Sequence, residues 1–175
     1  MDKETILDAI APCSFCCYTC HAKKNGVIAE TAKKLLNYHL GYYEFRYRTS
    51  RKRYGKSIKE DKCFLKRLEE TAKAPCNGCR SGEHGKYCIK DCFIRECTVA
   101  HGVDFCGECT EFPCDKGKNL FSNTDLSFSD NVLSDWISGN GRIKEVGVDQ
   151  YYKEATSRSH YLSFSKYKEG ESHQK

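Results

Sequence analysis

Apolar residues recur at helical spacing over much of the chain. From Ile28 onward, Ala32, Leu35, Leu36 and Tyr43, with His39 among them, mark an amphipathic helix from about 27 to 48. His39 sits on the apolar face and reads as a core residue, not a ligand. A second helix is expected to start at Ser57, because Ser57-Ile-Lys-Glu60 has the capping-box form, with Ile58, Leu65, Leu68 and Ala72 as its buried stripe. Before these, roughly 5 to 22 reads as a short helix running into the first cysteines. After them, a short helix is expected between Asp91 and Gly102, and an irregular connection around 121–129. A longer helix follows from about Asp130 to Val146, ended by Gly147, with Gly139 and Gly141 weakening its middle. Asp149 caps a last helix through Tyr151, Tyr152 and Ala155. Strand signals are weak. The expected fold is mainly α, with helices packed around irregular cysteine-rich metal-binding loops and little β. One domain is expected over 1–165, with a metal-rich lobe at about 75–115 and a disordered tail over 166–175.

Composition explains why helices alone are not expected to hold such a fold. Leu, Ile, Val and Phe make up about 19% of the 175 residues, near the level at which burial fails to offset the ordering entropy of a chain. Thirteen cysteines stand against that shortage, and they fall in tight groups. There is no basic-then-apolar leader and no run of 18 apolar residues, so the expected location is the cytoplasm, with no membrane span. In a reducing compartment, cysteines two residues apart read as metal ligands before they read as disulfides.

A Cys-x-x-Cys turn presents two sulfurs to one ion at about 2.3 Å each, and two such turns complete a tetrahedral thiolate site. Cys76-Asn-Gly-Cys79 and Cys106-Gly-Glu-Cys109 have this form, with Gly inside each turn. Cys88, Cys92, Cys97 and Cys114 lie between or just after the pairs, and Cys13, Cys16, Cys17 and Cys20 form an N-terminal group. One allowed assignment groups Cys76, Cys79, Cys88 and Cys92, then Cys97, Cys106, Cys109 and Cys114. Interleaved pairing is equally allowed. A third site would use Cys13, Cys17 and Cys20, with Cys16, His21 or a distant Cys as fourth ligand. Cys63 points away from the stripe of its helix and has no cysteine nearby in sequence, so it is left outside the metal set. His84 is a substitute ligand should Cys88 not serve.

Two or three zinc ions suit this pattern, since closed zinc sites contribute folding free energy of order 10 kcal/mol in small units. An iron–sulfur cluster is the alternative, although the bacterial ferredoxin run places Pro directly after its last Cys, whereas Pro113 precedes Cys114. Thiol redox chemistry lacks the strand–helix context of a thioredoxin-like motif. No nucleophile with its base, phosphate loop or HExxH helix is present, and Ser159-His160-Tyr161 reads as a surface segment.

The run Cys88-Ile-Lys-Asp-Cys92-Phe-Ile-Arg-Glu-Cys97-Thr-Val-Ala-His-Gly-Val-Asp-Phe-Cys106-Gly-Glu-Cys109-Thr-Glu-Phe-Pro-Cys114 resembles the signature of a prokaryotic cysteine-rich family, catalogued as domain of unknown function 3795. The resemblance extends upstream to Ala11-Pro-Cys13 with Cys17 and Cys20, and to Cys76-Asn-Gly-Cys79-Arg80. Downstream it takes in Arg142-Ile-Lys-Glu-Val-Gly147-Val-Asp-Gln-Tyr-Tyr. It implies zinc binding and supplies no reaction. Cys16 is an extra thiol relative to that pattern, and the Cys88–Cys92 spacing is one residue long.

From Tyr42 to Lys56 the chain carries six basic residues and one acid, a local charge of +5 equal to that of the whole. Arg46, Arg48, Arg51, Lys52 and Arg53, interleaved with aromatics, suit a single-stranded nucleic acid or protein partner. Metal binding would change the overall balance, because four thiolates around a divalent ion carry −2, and three such sites would take +5 to about −1. The function expected from all this is a structural zinc protein acting as an interaction or regulatory module. An iron–sulfur redox protein or enzyme subunit is the alternative.

Overall fold

The computed structural model describes residues 1–50, 55–81, 88–89, 92–122 and 129–160, with the side chains of 49–50, 55–59 and 129–131 excepted. Among these residues there are seven α-helices and no strand, in agreement with the mainly helical expectation. The chain divides into two compact units, one of Met1–Cys20 with Gly78–Lys175 and the other of His21–Asn77. No helix among the described residues is long and apolar enough to cross a membrane.

The first unit begins with α1 (Lys3–Ala9), capped by Asp2, whose carboxylate accepts from the Thr5 N–H at 2.8 Å and the Thr5 hydroxyl at 2.7 Å. The expected run toward residue 22 stops at Ala9. Pro12 lies three residues on, and Ser14 takes a left-handed φ of 73°, so the segment carrying the first cysteines is a loop. α4 spans Ile94–Ala100, α5 Asp115–Ser122, α6 Ser129–Val146 and α7 Val148–Thr156. α4 begins after Phe93 without a side-chain cap, and the Asp91 expected to cap it lies outside the described residues. α5 was not anticipated from the sequence, because Lys116, Lys118 and Gly117 dilute its apolar signal. It buries Gly117 and Phe121.

Trp136 of α6 is fully buried, with the ring of Phe112 edge-on at 4.9 Å and that of Phe121 tilted at 5.1 Å. Ile6, Ile10, Phe105, Ile143 and Tyr151 form a second part of the core. Gly139, expected to weaken α6, instead admits a neighbour: a Cβ there would lie 2.5 Å from the Ser14 hydroxyl and 2.9 Å from that of Tyr151. Gly147 ends α6 at a φ of 78°, a conformation that glycine adopts without the usual steric cost.

Across the α6–α7 turn, Arg142 holds Glu154 in a two-pronged ion pair at 2.9 and 2.8 Å. Hydrogen bonds from Arg142 and then Gln150 pull the Glu154 carboxyl down to about 2. A depressed folded value makes this contribution fully present above the ordinary carboxylate range near 4.5, and lost as pH falls through about 2. The difference in melting temperature between the natural chain and Glu154→Gln is therefore expected to be constant from neutral pH to about 5 and to shrink steadily below it. A gap that does not change with pH would show that ionisation of Glu154 contributes nothing to stability.

The second unit is a hairpin of α2 (Val27–Ser50) and α3 (Gly55–Ala72). α3 starts two residues before the expected cap at Ser57. Ala29, Ala32 and Leu65 are buried, His39 meets the ring of Phe64 at 5.1 Å, and Arg46 pairs with Asp61 at 2.9 Å. The ends of the unit are joined by backbone hydrogen bonds from Lys24 N–H to the Cys76 carbonyl and from Cys76 N–H to that of Ala22, each 2.9 Å. The buried Lys23 ammonium donates to the Asn77 carbonyl at 3.0 Å.

Candidate metal centre

Ten of the eleven candidate cysteines lie in the first unit, and they fall into two neighbourhoods. Cys97 stands on α4, Cys106 and Cys109 bracket a tight turn, and Cys114 immediately precedes α5. All four line one cavity of about 30 Å³, together with His101 and Glu111. Burial raises the Cys97 thiol, and the neighbouring Cys114 and Cys109 add to the effect. Burial pushes the Cys106 thiol up to about 12, opposed by the indole N–H of Trp136.

The second neighbourhood centres on Cys79. Cys13 is raised well above its ordinary value by burial, then by Cys79 and Cys88. Cys17 is raised first by its hydrogen bond to Cys79 and then by burial. Cys88 is exposed as a residue, but its sulfur is desolvated, which with Cys79 beside it lifts the thiol to about 11. Burial also raises Cys92, with Cys79 adding to it, and Cys20 acts on both Cys17 and Cys88. Six thiols from three stretches of sequence thus share one locality. Cys76 belongs to the hairpin unit, Cys63 is exposed on α3, and His84, Arg51, Lys52 and Arg53 lie outside the described residues.

Several donors face these sulfurs. The backbone N–H groups of Phe15 and Ile94 bond the thiols of Cys13 and Cys92, two residues behind each, and Gly117 N–H reaches Cys114 Sγ at 3.4 Å. The Trp136 indole N–H is buried without a partner in ordinary hydrogen-bond geometry, yet it acts on Cys106. Such donors favour thiolate over thiol, and a bound cation removes the proton outright where crowding alone would retain it. The residues fit a zinc or iron–sulfur group in donor identity and neighbourhood. As the side chains stand, no group of three or more His, Cys, Asp or Glu among the described residues is arranged to hold an ion.

Two residues outside the sequence-derived set organise the centre. Asn140 of α6 is fully buried; its amide nitrogen donates to the Cys13 carbonyl and the Ser14 hydroxyl, both at 3.1 Å, and to the Trp136 carbonyl at 2.8 Å. Its amide oxygen accepts the Gly107 N–H at 2.8 Å, so one side chain joins the Cys13 loop to the Cys106 turn. His101 places Nδ1 2.8 Å from the Cys97 carbonyl and 3.7 Å from its sulfur. That short contact with a carbonyl oxygen makes Nδ1 the donor and leaves Nε2 as the acceptor in the neutral ring. Only the burial of Asn140 reveals its role, since a polar residue between two glycines on a helix carries no metal signal.

Arg80, next to Cys79, donates to the Leu7 carbonyl at 3.1 Å and the Asp104 carbonyl at 2.7 Å, and its guanidinium lies over the Phe105 ring. Burial lowers its pKa, with the carboxylate of Asp104 and the Cys79 thiol acting in the opposite direction. His160, expected at the surface, is half-buried, with Nδ1 2.7 Å from the Cys16 carbonyl and its pKa lowered by burial.

A family model described as "Protein of unknown function (DUF3795)" matches residues 9–119, a span that takes in every candidate cysteine. No curated protein and no solved structure matches the chain.

Proposed function

The chain belongs to the DUF3795 family, and from that premise we propose that it is a structural zinc protein whose metal-bound loops hold an interaction or regulatory module together. The observation that carries this reading is the convergence of Cys97, Cys106, Cys109 and Cys114 on one small cavity, with the buried indole N–H of Trp136 acting on Cys106. Zinc bound there would act as a Lewis-acidic clamp that keeps the thiols deprotonated. The chain's own contribution is to supply amide and indole donors that orient the sulfurs and neutralise part of their charge. The six thiols around Cys79 would take one or two further ions. The donors aimed at the sulfurs, backbone amides and an indole, would hold thiolates in place, which favours scaffolding over turnover.

Anaerobic purification followed by elemental analysis and a visible spectrum tests the assignment. Roughly stoichiometric zinc in a colourless sample is expected, with about one ion lost in Cys106→Ser and none lost in Cys63→Ser. Brown, iron-rich protein would replace the reading with an iron–sulfur one, and metal-free protein that remains folded would reject both.

A further inference from the structure

The two units differ sharply in charge. His21–Asn77 carries 15 Lys and Arg against six Asp and Glu, a net +9, whereas the remainder carries 14 against 18, a net −4. Thiolates would make that remainder more negative still. The basic unit is also where large rings face solvent: Tyr38 is 81% exposed, Phe45 64% and Tyr42 53%.

These residues share one face of α2. Lys34, Tyr38, Gly41, Phe45 and Arg48 stand at i, i+4, i+7, i+11 and i+14, one ridge of a helix, with Tyr42 beside them. At about 1.5 Å per residue the ridge runs roughly 21 Å from Lys34 to Arg48. A Cβ added at Gly41 would meet nothing within 4 Å, so the gap between the two outer rings is open. Arg48 is 79% exposed and meets Glu44 only at 3.5 Å, a solvated pair that a phosphate can displace. Arg46, by contrast, is turned inward, held by Asp61 at 2.9 Å and lying over the Tyr42 ring. Of the basic stretch singled out in the sequence, Arg46 is thus turned away from this ridge and Arg48 stands on it, joined by Lys34.

We propose that this ridge is a docking surface for single-stranded nucleic acid, with Tyr38 and Phe45 stacking on unpaired bases and Lys34 and Arg48 meeting phosphates at either end. Rings that project from an exposed helix match the π-faces of unpaired bases, whereas a duplex hides those faces inside its stack. The excess of nine positive charges on the unit complements a polyanion and would draw it in from a distance. A membrane surface is less well matched, because Gly41 interrupts the ridge between Tyr38 and Phe45, and Lys34 and Arg48 close its two ends.

Fluorescence anisotropy with the full-length, metal-loaded protein and labelled oligo-uridine, oligo-thymidine and duplex DNA tests the proposal. Binding to both single strands is expected to exceed binding to duplex and to weaken steeply with salt. Tyr38→Ala with Phe45→Ala should lower single-strand affinity about tenfold or more, while Tyr38→Phe retains it. Lys34→Ala with Arg48→Ala should reduce the salt slope by about one per charge removed. Circular dichroism serves as the folding control, since all four side chains face solvent. The proposal is overturned by equal affinity in the ring variants, by equal preference for duplex, or by tighter binding to anionic vesicles. It is overturned as well if the ring variants change only the oligomeric state, which would identify the occupant as a second copy of this chain.

Discussion

Exhaustive chelation under reducing conditions is expected to abolish the cooperative thermal transition of the first unit. The expectation rests on zinc occupying the thiol centres. A structural zinc site contributes on the order of 10 kcal/mol of apparent folding free energy, whereas the whole net stability of a domain is about 5–15 kcal/mol. Removing one ion is therefore comparable to removing everything that holds the fold. Among the described residues the largest fully buried side chains are Trp136, Phe105, Phe121 and Ile10, of which only Ile10 is aliphatic. Re-addition of zinc at neutral pH should restore the transition, and lowering the pH should weaken that rescue as protons compete for sulfur. A melting temperature that stays put through chelation would remove metal from the account of stability.

Asn140→Ala is expected to destabilise the first unit by about 3 kcal/mol or more, lowering the melting temperature by roughly 6–12 °C. Truncation leaves the Gly107 N–H unsatisfied in a buried position and strips the Cys13 carbonyl of its donor, with each orphaned group costing about 1–3 kcal/mol. Asn140→Asp should be similarly damaging. It would keep an acceptor for Gly107 but place a carboxylate against two carbonyl oxygens and a thiol-rich loop. If the centre binds zinc, the Ala variant should also bind it more weakly, because the Cys13 loop and the Cys106 turn would no longer be held by one side chain. A shift within about 1 °C, measured by calorimetry on the metal-loaded protein, would show that water or a neighbour replaces the amide.

The helical register was legible wherever apolar residues repeat over several turns, and α2 and α6 fall within a residue or two of their expected limits. It failed at α5, where eight residues carry two lysines and a glycine, too short a stretch for periodicity to rise above composition. It also failed after α1, where Pro12 and the left-handed Ser14 convert an expected helical run into a loop. Cys-x-x-Cys spacing singled out the thiols but not their partners. Cys79 keeps company with Cys13 and Cys17 as well as with Cys88 and Cys92, across more than sixty residues of intervening chain.

From residue order alone came the helical class, the wealth of thiols and the basic character of the stretch after Tyr42, because each depends on neighbours within a few positions. Which thiols share a locality was decided by tertiary packing, as were the burial of Asn140 between two loops and the inward turn of Arg46 toward Asp61. Those outcomes depend on which distant segments exclude water from one another, a property of the assembled chain that no local pattern encodes.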